Sequence, residues 1–209
     1  MNIKKIANIA LEFTINRLME ILGIIVLIFG ILLFAALISY SPEDPNFIFP
    51  ENTEIKNILG FQGSYISDLF FQSIGLIAYL IPITFFFTGI NIFRTKDFFL
   101  LIENTFYIIL YLIFGSLCFA HFYESTFALY INGNGGFIGN YLSDSFLQKL
   151  ININENITYY ILILLVIIFF LISINFSPKK AWNFLKQIFN LVNKDGHKHF
   201  TDKSEIISE

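Results

Sequence analysis

Long apolar runs separated by short polar intervals dominate the chain. Counted between consecutive Asp, Glu, Lys or Arg residues, four gaps stand out: 22 residues between Glu20 and Glu43, 25 between Asp68 and Arg94, 20 between Glu103 and Glu124, and 23 between Glu155 and Lys179. Charges in a bilayer core are costly and about 20 apolar residues suffice to cross it, so each gap is long enough for one span. The apolar centres, roughly 19–40, 69–93, 100–120 and 159–176, predict transmembrane helices. The expected fold is all-α, an integral membrane four-helix bundle with short interfacial helices.

The segments between and beyond the spans have their own patterns. Ile3, Ile6, Ile9, Ala10 and Phe13 recur at helical spacing with Lys4, Lys5, Glu12 and Arg17 between them, which predicts a helix over 1–17 lying at the membrane interface. A four-helix domain over 18–178 follows. Ser177-Pro178 is expected to stop the last span, with Lys179 and Lys180 at the headgroups. Trp182, Leu185, Phe189 and Val192 then mark one face of an amphipathic helix within 179–209, whose end reads as the start of a linker. The loop over about 41–67 carries Pro42 and Pro45, with Phe47 and Phe49 as interfacial anchors, and Gly60 and Gly63 predict a close turn before span two. In the loop over about 121–157, Asn132-Gly133-Asn134-Gly135-Gly136 predicts a turn, and Ile138, Leu142, Phe146 and Leu150 a short amphipathic helix.

Composition sharpens this picture. Apolar residues make up 56% of the 209 residues, charged residues only 14%, and Phe alone occurs 27 times, which leaves no water-soluble fold of this size able to hide them. Lys and Arg accumulate in short cytoplasmic loops and flanks. Eleven of the 13 lie before span one, between spans two and three, or after span four, and only Lys56 and Lys149 lie on the other side. Both termini are therefore expected in the cytoplasm. The first apolar run exceeds the 7–15 residues of a signal-peptide core and lacks a small-x-small cleavage site, which argues for a retained span. The net charge of −3 is too small to suggest nucleic-acid binding by this segment.

Candidate chemistry is sparse. No G-x-x-x-x-G-K-[ST] loop occurs, so no ATPase activity is expected from this chain, and no catalytic, cofactor or metal residues are assigned. His121 near the outer end of span three reads as an interface anchor, with proton relay or ligand binding as the alternative. His197 and His199 read as solvated tail rather than metal ligands, and Cys118 as a buried small side chain. Glu43, Asp44, Asp68 and Asp144 are expected to cap helices or hold turns rather than catalyse. Gly23 and Gly30 share one face of span one, Gly75, Ala78 and Gly89 keep span two slim around Pro82, and Gly115, Ser116 and Ala120 do so for span three. All are read as close helix packing, with a functional kink at Pro82 as the alternative.

Read together, Asp44-Pro45-Asn46-Phe47, then Asn57-x-x-Gly60-x-x-Gly63-x-x-x-x-Asp68-x-x-Phe71, then Gly75-x-x-Ala78-Tyr79-x-x-Pro82 resemble the N-terminal four-helix membrane domain of FtsK/SpoIIIE-type bacterial DNA translocases. Gly135-Gly136-x-x-Gly139 matches that family's second periplasmic loop, and the resemblance covers about residues 17–195. The family usually has Trp where Phe47 stands and Ala where Ser67 stands. The resemblance implies that Asp44, Pro45, Phe47, Gly60, Gly63, Asp68, Gly75, Ala78, Tyr79, Pro82, Gly135, Gly136 and Gly139 have structural or partner-binding roles. It implies a multi-pass protein of the bacterial inner membrane at the division septum, which helps assemble the division machinery and tethers a DNA motor. Its partners would be the lipid bilayer, other septal membrane proteins, the tubulin-like division ring and further copies of itself, six where a motor is joined. Ending at Glu209 without that motor, the chain reads as a fragment, a split gene product or a stand-alone anchor. The competing expectations are a small solute transporter or channel subunit, which the lack of mid-membrane charges disfavours, and a lipid-modifying enzyme, for which no catalytic cluster is found.

Overall fold

The helix that carries the first span starts well ahead of it. In the computed structural model, which describes residues 3–45, 54–124, 132–145, 147–179, 182 and 186, α1 runs unbroken from Ile3 to Ile38, with no boundary near residue 17. At 1.5 Å per residue its 36 residues extend about 54 Å, well beyond the roughly 30 Å of a hydrocarbon core. The other helices are α2 (Gly60–Ile74), α3 (Leu80–Thr95), α4 (Phe99–Phe122), α5 (Gly136–Ser143), α6 (Leu147–Ile153) and α7 (Glu155–Ser173). No strand occurs among the described residues. Four segments are long and apolar enough to cross a membrane: Ala7–Ile38, Gly60–Thr95, Phe99–Phe122 and Glu155–Ser173.

Span two differs most from its expected form. It begins at Gly60, inside the expected loop, and is interrupted by a 3-10 turn over Gly75–Tyr79. The break originates at Gly75, whose φ of 72° ends α2 in a conformation that residues with a Cβ rarely adopt. Pro82 does not create it. It lies buried in the first turn of α3, where a missing N–H removes no helical hydrogen bond.

The bundle is held by two antiparallel pairings, α1 against α3 and α4 against α7. In the first, helix backbones touch. A Cβ on Gly89 would stand 2.6 Å from the Gly23 carbonyl, and one on Gly30 would stand 2.9 Å from the Phe86 nitrogen. Lipid tails are as apolar as Leu, so helices gain no hydrophobic drive from meeting each other, and close approach of small residues supplies dispersion contact instead. In the second pairing aromatic rings do the work: Phe169 stacks on Phe114 and Tyr107, and Phe170 meets the edge of buried Tyr111. Outward-facing Ile, Leu and Phe on every span remain exposed, as lipid contact allows.

Local signals fix the connections. α3 ends at left-handed Lys96, whose N–H donates to the Ile92 carbonyl at 2.9 Å, and the Asp97 carboxylate accepts the Phe99 N–H at 2.9 Å to start α4. The Asn154 side chain caps α7 by accepting from the Ile157 N–H at 3.1 Å. α7 stops at Ser173, ahead of the expected Ser177-Pro178 signal, because Asn175 turns left-handed at φ 53°. The amphipathic stretch expected over 138–150 is two short helices, α5 and α6, with Phe146 and the side chain of Leu150 outside the described residues. Residues 176–209 form a second unit, in which Pro178, Lys179, Trp182 and Lys186 are helical and the Lys186 ammonium lies 5.6 Å from the Trp182 ring centroid. Leu185, Phe189 and Val192 lie outside the described residues.

Candidate functional site

The end of the bundle where the two longer loops meet the helices is built from side chains that bond to backbone. Asp44 is 1% exposed, and its two carboxylate oxygens accept the N–H groups of Lys56 and Asn57, each at 2.9 Å. Charge-assisted bonds of this kind are about twice as strong as neutral ones and draw the two ends of the first loop together. Asn57 carries the connection inward. Its amide donates to the Ala36 carbonyl of α1 at 2.9 Å, while its Oδ1 accepts the Leu59 N–H at 3.1 Å in an Asx turn. Two further bonds fix the loop: the Ser64 hydroxyl of α2 donates to the Pro45 carbonyl at 2.8 Å, and the Ser39 hydroxyl, just past the end of α1, accepts the Ile58 N–H at 3.1 Å.

Each expected residue of this loop has a distinct position. Gly60 sits at φ 66° with open space around its Cα, so its requirement is conformational. Gly63 lies inside α2, not in a turn before it, and a Cβ there would collide with the Asn57 side chain. Asp68 neither caps a helix nor holds a turn. It is buried within α2 and accepts the Tyr40 hydroxyl at 3.1 Å and the Gln72 amide at 3.4 Å. Phe47 lies outside the described residues. Tyr79 packs edge-on against Phe71 and donates to the Leu37 carbonyl at 3.4 Å, while Ala78, fully buried, belongs to a core cluster with Leu33 and Leu37 of α1 and Ile108 and Tyr111 of α4, and Pro82 meets Gly30 of α1.

The second loop locks into the break in span two. The Leu76 N–H, freed by the 3-10 turn, donates to the Asn134 carbonyl at 2.9 Å, and the Ser116 hydroxyl of α4 donates to the Ile74 carbonyl at 2.8 Å. The Asn132 amide donates to the Gln72 carbonyl at 3.2 Å, and the Asn134 amide donates to the Tyr123 carbonyl. Glycines permit this approach. A Cβ on Gly75 would run into the Asn134 carbonyl, one on Gly136 would stand 2.5 Å from the Gly75 nitrogen, and one on Gly135 2.5 Å from the Ala120 Cβ. A Cβ on Gly139 would meet the Ser116 carbonyl. The second loop thus docks at Gly75, and the first on the end of α1 and the start of α2. Asn57, Ser116 and Asn134, outside the predicted site, prove to be the residues that carry these bonds.

Nearer the other end a second polar group was missed altogether. Thr84 of α3 shares hydrogen bonds with the Tyr111 hydroxyl of α4 (3.2 Å) and the Ser173 hydroxyl of α7 (3.1 Å). The Asn104 amide donates to Thr88 at 2.8 Å and its Oδ1 accepts from the Asn175 amide at 3.1 Å. These neutral groups satisfy one another and pin three helices in register.

Reactive chemistry is thin in this arrangement. Among the described residues no three His, Cys, Asp or Glu side chains converge as a metal site. The His121 ring packs on Phe122, Cys118 is buried, Asp144 lies at the end of α5, and His197 and His199 fall outside the described residues. Exposed Glu43 pairs with Lys56, which holds the Glu43 carboxyl below its ordinary value and raises the Lys56 ammonium. An apolar groove of about 460 Å³ opens between the 3-10 turn, α4 and α7, lined by Leu80, Gly115, Phe119 and Ile163 among others. The hydrogen bonds of Asn57, Ser116 and Asn134 hold the shape of the loop end.

Comparison with known proteins agrees with the geometry. Residues 16–186 match the family model described as the 4TM region of DNA translocase FtsK/SpoIIIE. A DNA translocase FtsK of Rickettsia bellii (strain RML369-C) is 38% identical over 76 residues, which is 36% of this chain and 10% of that protein. Those of Rickettsia typhi (strain ATCC VR-144 / Wilmington) and Rickettsia prowazekii (strain Madrid E) are 33% and 32% identical over 82 residues, 38% of this chain and 11% of each relative. The matched segment therefore spans about a tenth of these relatives' length. No solved structure matches the chain.

Proposed function

The chain belongs to the family of the 4TM region of DNA translocase FtsK/SpoIIIE, and from that premise we propose that it is the membrane anchor and septum-assembly domain of an FtsK-type cell-division translocase. It is a multi-pass membrane protein by its four span-capable helices and its family. What supports the finer reading is the placement of the motif residues: apart from Phe47 they gather at one end of the bundle and in the buried packing beneath it, where they shape two loops. The distribution of Lys and Arg assigns that end to the outside of the inner membrane and both termini to the cytoplasm. Other septal membrane proteins then meet the loop end, and the tubulin-like ring and further copies of the chain meet the cytoplasmic side. ATP hydrolysis and DNA contact belong to motor domains, not to these residues.

A fluorescent fusion of the chain in dividing cells tests this. The expected result is concentration at mid-cell, retained in membranes but lost from mid-cell for Gly63→Val, which would strike Asn57, and for Ala78→Leu, which would part packed helices. Uniform peripheral fluorescence of the unmodified protein would overturn the septal role and promote a transporter or channel subunit. Alkaline phosphatase fused after Asn57 or Asn140 should be active and after Thr95 inactive. Activity after Thr95 would overturn the orientation.

A further inference from the structure

α1 and α3 run antiparallel in a fixed register: Gly23 lies against Gly89 and Phe93, and Gly30 against Pro82 and Phe86. Each step up α1 matches one step back along α3. If α2 continued the axis of α3, Asn57 would therefore stand about 30 Å beyond Ala36 at 1.5 Å per residue. Its amide instead donates to the Ala36 carbonyl, and the Ser39 hydroxyl accepts the Ile58 N–H. Toward the other end of α2 the Phe71 ring stands 4.7 Å from the Tyr40 ring, and Tyr79, beyond the break, reaches the Leu37 carbonyl. Both ends of a helix about 22 Å long are thus level with residues 36–40, so α2 lies across the bundle axis.

This level coincides with a membrane boundary. At the opposite end of the bundle Glu20 accepts from Arg17 at 2.6 Å and from Lys96 at 2.8 Å, a charged group that belongs at the headgroups. From Glu20 to Ile38 α1 rises about 27 Å, close to the roughly 30 Å of a hydrocarbon core. The 5 residues of the 3-10 turn and the 16 of α3 already supply the ~20 that a crossing needs. The polarity of α2 is inverted to match. Its buried side holds Ser64, Ser67 and Asp68 beside Phe71 and Ile74, whereas three of its four exposed residues are Phe61, Ile66 and Leu69, with Gln62 the fourth. A helix bathed in water turns its polar side outward. The exposed apolar side also continues a lipid-facing one. The stripe Ile31, Phe34 and Ile38 of α1 ends next to Ser39, which holds Ile58, 72% exposed, just ahead of α2.

We propose that α2 is not part of a span but lies flat in the loop-end boundary of the bilayer, with Phe61, Ile66 and Leu69 among phospholipid acyl chains below the headgroups. Span two then crosses through residues 75–95 alone. This requires only that the chain spans a membrane and holds whichever side the loop end faces. The test uses the full chain with Trp182→Phe, which removes its one tryptophan, in nanodiscs of phosphatidylcholine brominated either near the headgroup or near the chain ends. Phe61→Trp and Leu69→Trp should lose fluorescence to the same extent, and more to the bromines near the headgroup. Ile113→Trp, lipid-facing midway along α4, should show the reverse order. Were α2 upright, positions 61 and 69 would differ in depth by about 12 Å. Quenching by lipid at 69 with iodide access at 61 would therefore overturn the proposal. So would iodide access at both without quenching by lipid, which places the face in water, and protection of both from lipid and iodide alike, which places it against another protein chain. Ile66→Trp reads the same face if either variant fails to fold, and a deeper or iodide-exposed position there would equally overturn the proposal.

Discussion

The α1–α3 seam and the loop end both depend on glycine, but the missing Cβ serves different ends in the two places. Along the seam, Gly23, Gly30 and Gly89 let two helix backbones touch, and the neighbours lost to a larger side chain are made of the same apolar material as the lipid. At the loop end, Gly63, Gly75, Gly135, Gly136 and Gly139 let backbone approach groups that are already hydrogen-bonded: the Asn57 side chain and the carbonyls of Asn134 and Ser116. A seam can slide or part by tenths of an ångström and keep its chemistry. A hydrogen-bonded turn displaced by the same distance loses partners that lipid cannot replace. The comparison places shape-specific information at the loop end and generic cohesion along the seam.

The change expected to break this contrast most sharply is Gly75→Val. It forces a β-branched residue to φ 72° and drives its Cβ into the Asn134 carbonyl. Left-handed strain of about 1–2 kcal/mol and overpacking of about 1–3 kcal/mol combine, so thermal unfolding in micelles should show destabilisation of about 3 kcal/mol or more, or no folded protein. Asp44→Ala comes next. It strips the acceptors from two backbone N–H groups, one on buried Asn57, and should cost about 1–3 kcal/mol in the same measurement. Gly60→Ala separates conformation from contact. Gly60 shares a positive φ with Gly75 but has no atom within 4 Å of a Cβ, so about 1 kcal/mol is expected. A loss as large as that of Gly75→Val would show that φ, not the approach of the second loop, governs the break.

The smallest effect is expected for Glu43→Gln, which removes a solvent-exposed ion pair with Lys56 from the surface of the same loop. The Glu43 carboxyl is held below its ordinary 4.5, so whatever the pair contributes is present at neutral pH and disappears as pH falls through that lowered value. The thermal midpoints of the two proteins should be indistinguishable at neutral and at acid pH alike, which would leave the loop's cohesion to its other hydrogen bonds, those of buried Asp44 and Asn57 among them.

How much of this was legible in the sequence follows from what each signal measures. Charge gaps find stretches that avoid ionised groups, and these mark the spans because burying a charge in lipid is costly. The same gaps are blind to Thr84, Thr88, Asn104, Tyr111 and Ser173, which are neutral and find their partners across helices. Span two is expected to start after Asp68 because the charge gap opens there, which leaves Gln62, Ser64 and Ser67 in the expected loop. They belong to a helix whose polar side bonds to Pro45 of the first loop and to Tyr40 just past α1, a partnership visible only once the chain folds back. Gly75 and Pro82 read as close helix packing, with a kink at Pro82 as the alternative, since proline advertises a kink in sequence and a positive φ at Gly75 does not. Gly133, Gly135 and Gly136 read as turn formers and Gly139 enters only through the resemblance, yet Gly135 and Gly139 both serve contact with Ser116 and Ala120, residues from another helix.

The central claim is that the loop end, and not the lipid-facing surface, carries the information for assembly at the septum. The most direct test is the ratio of mid-cell to peripheral fluorescence for Asp44→Ala and for Ile109→Ala, a lipid-facing change on α4, at matched membrane abundance. The account predicts that Asp44→Ala loses mid-cell enrichment while Ile109→Ala keeps the enrichment of the unmodified protein. Enrichment retained by Asp44→Ala and lost by Ile109→Ala would contradict it.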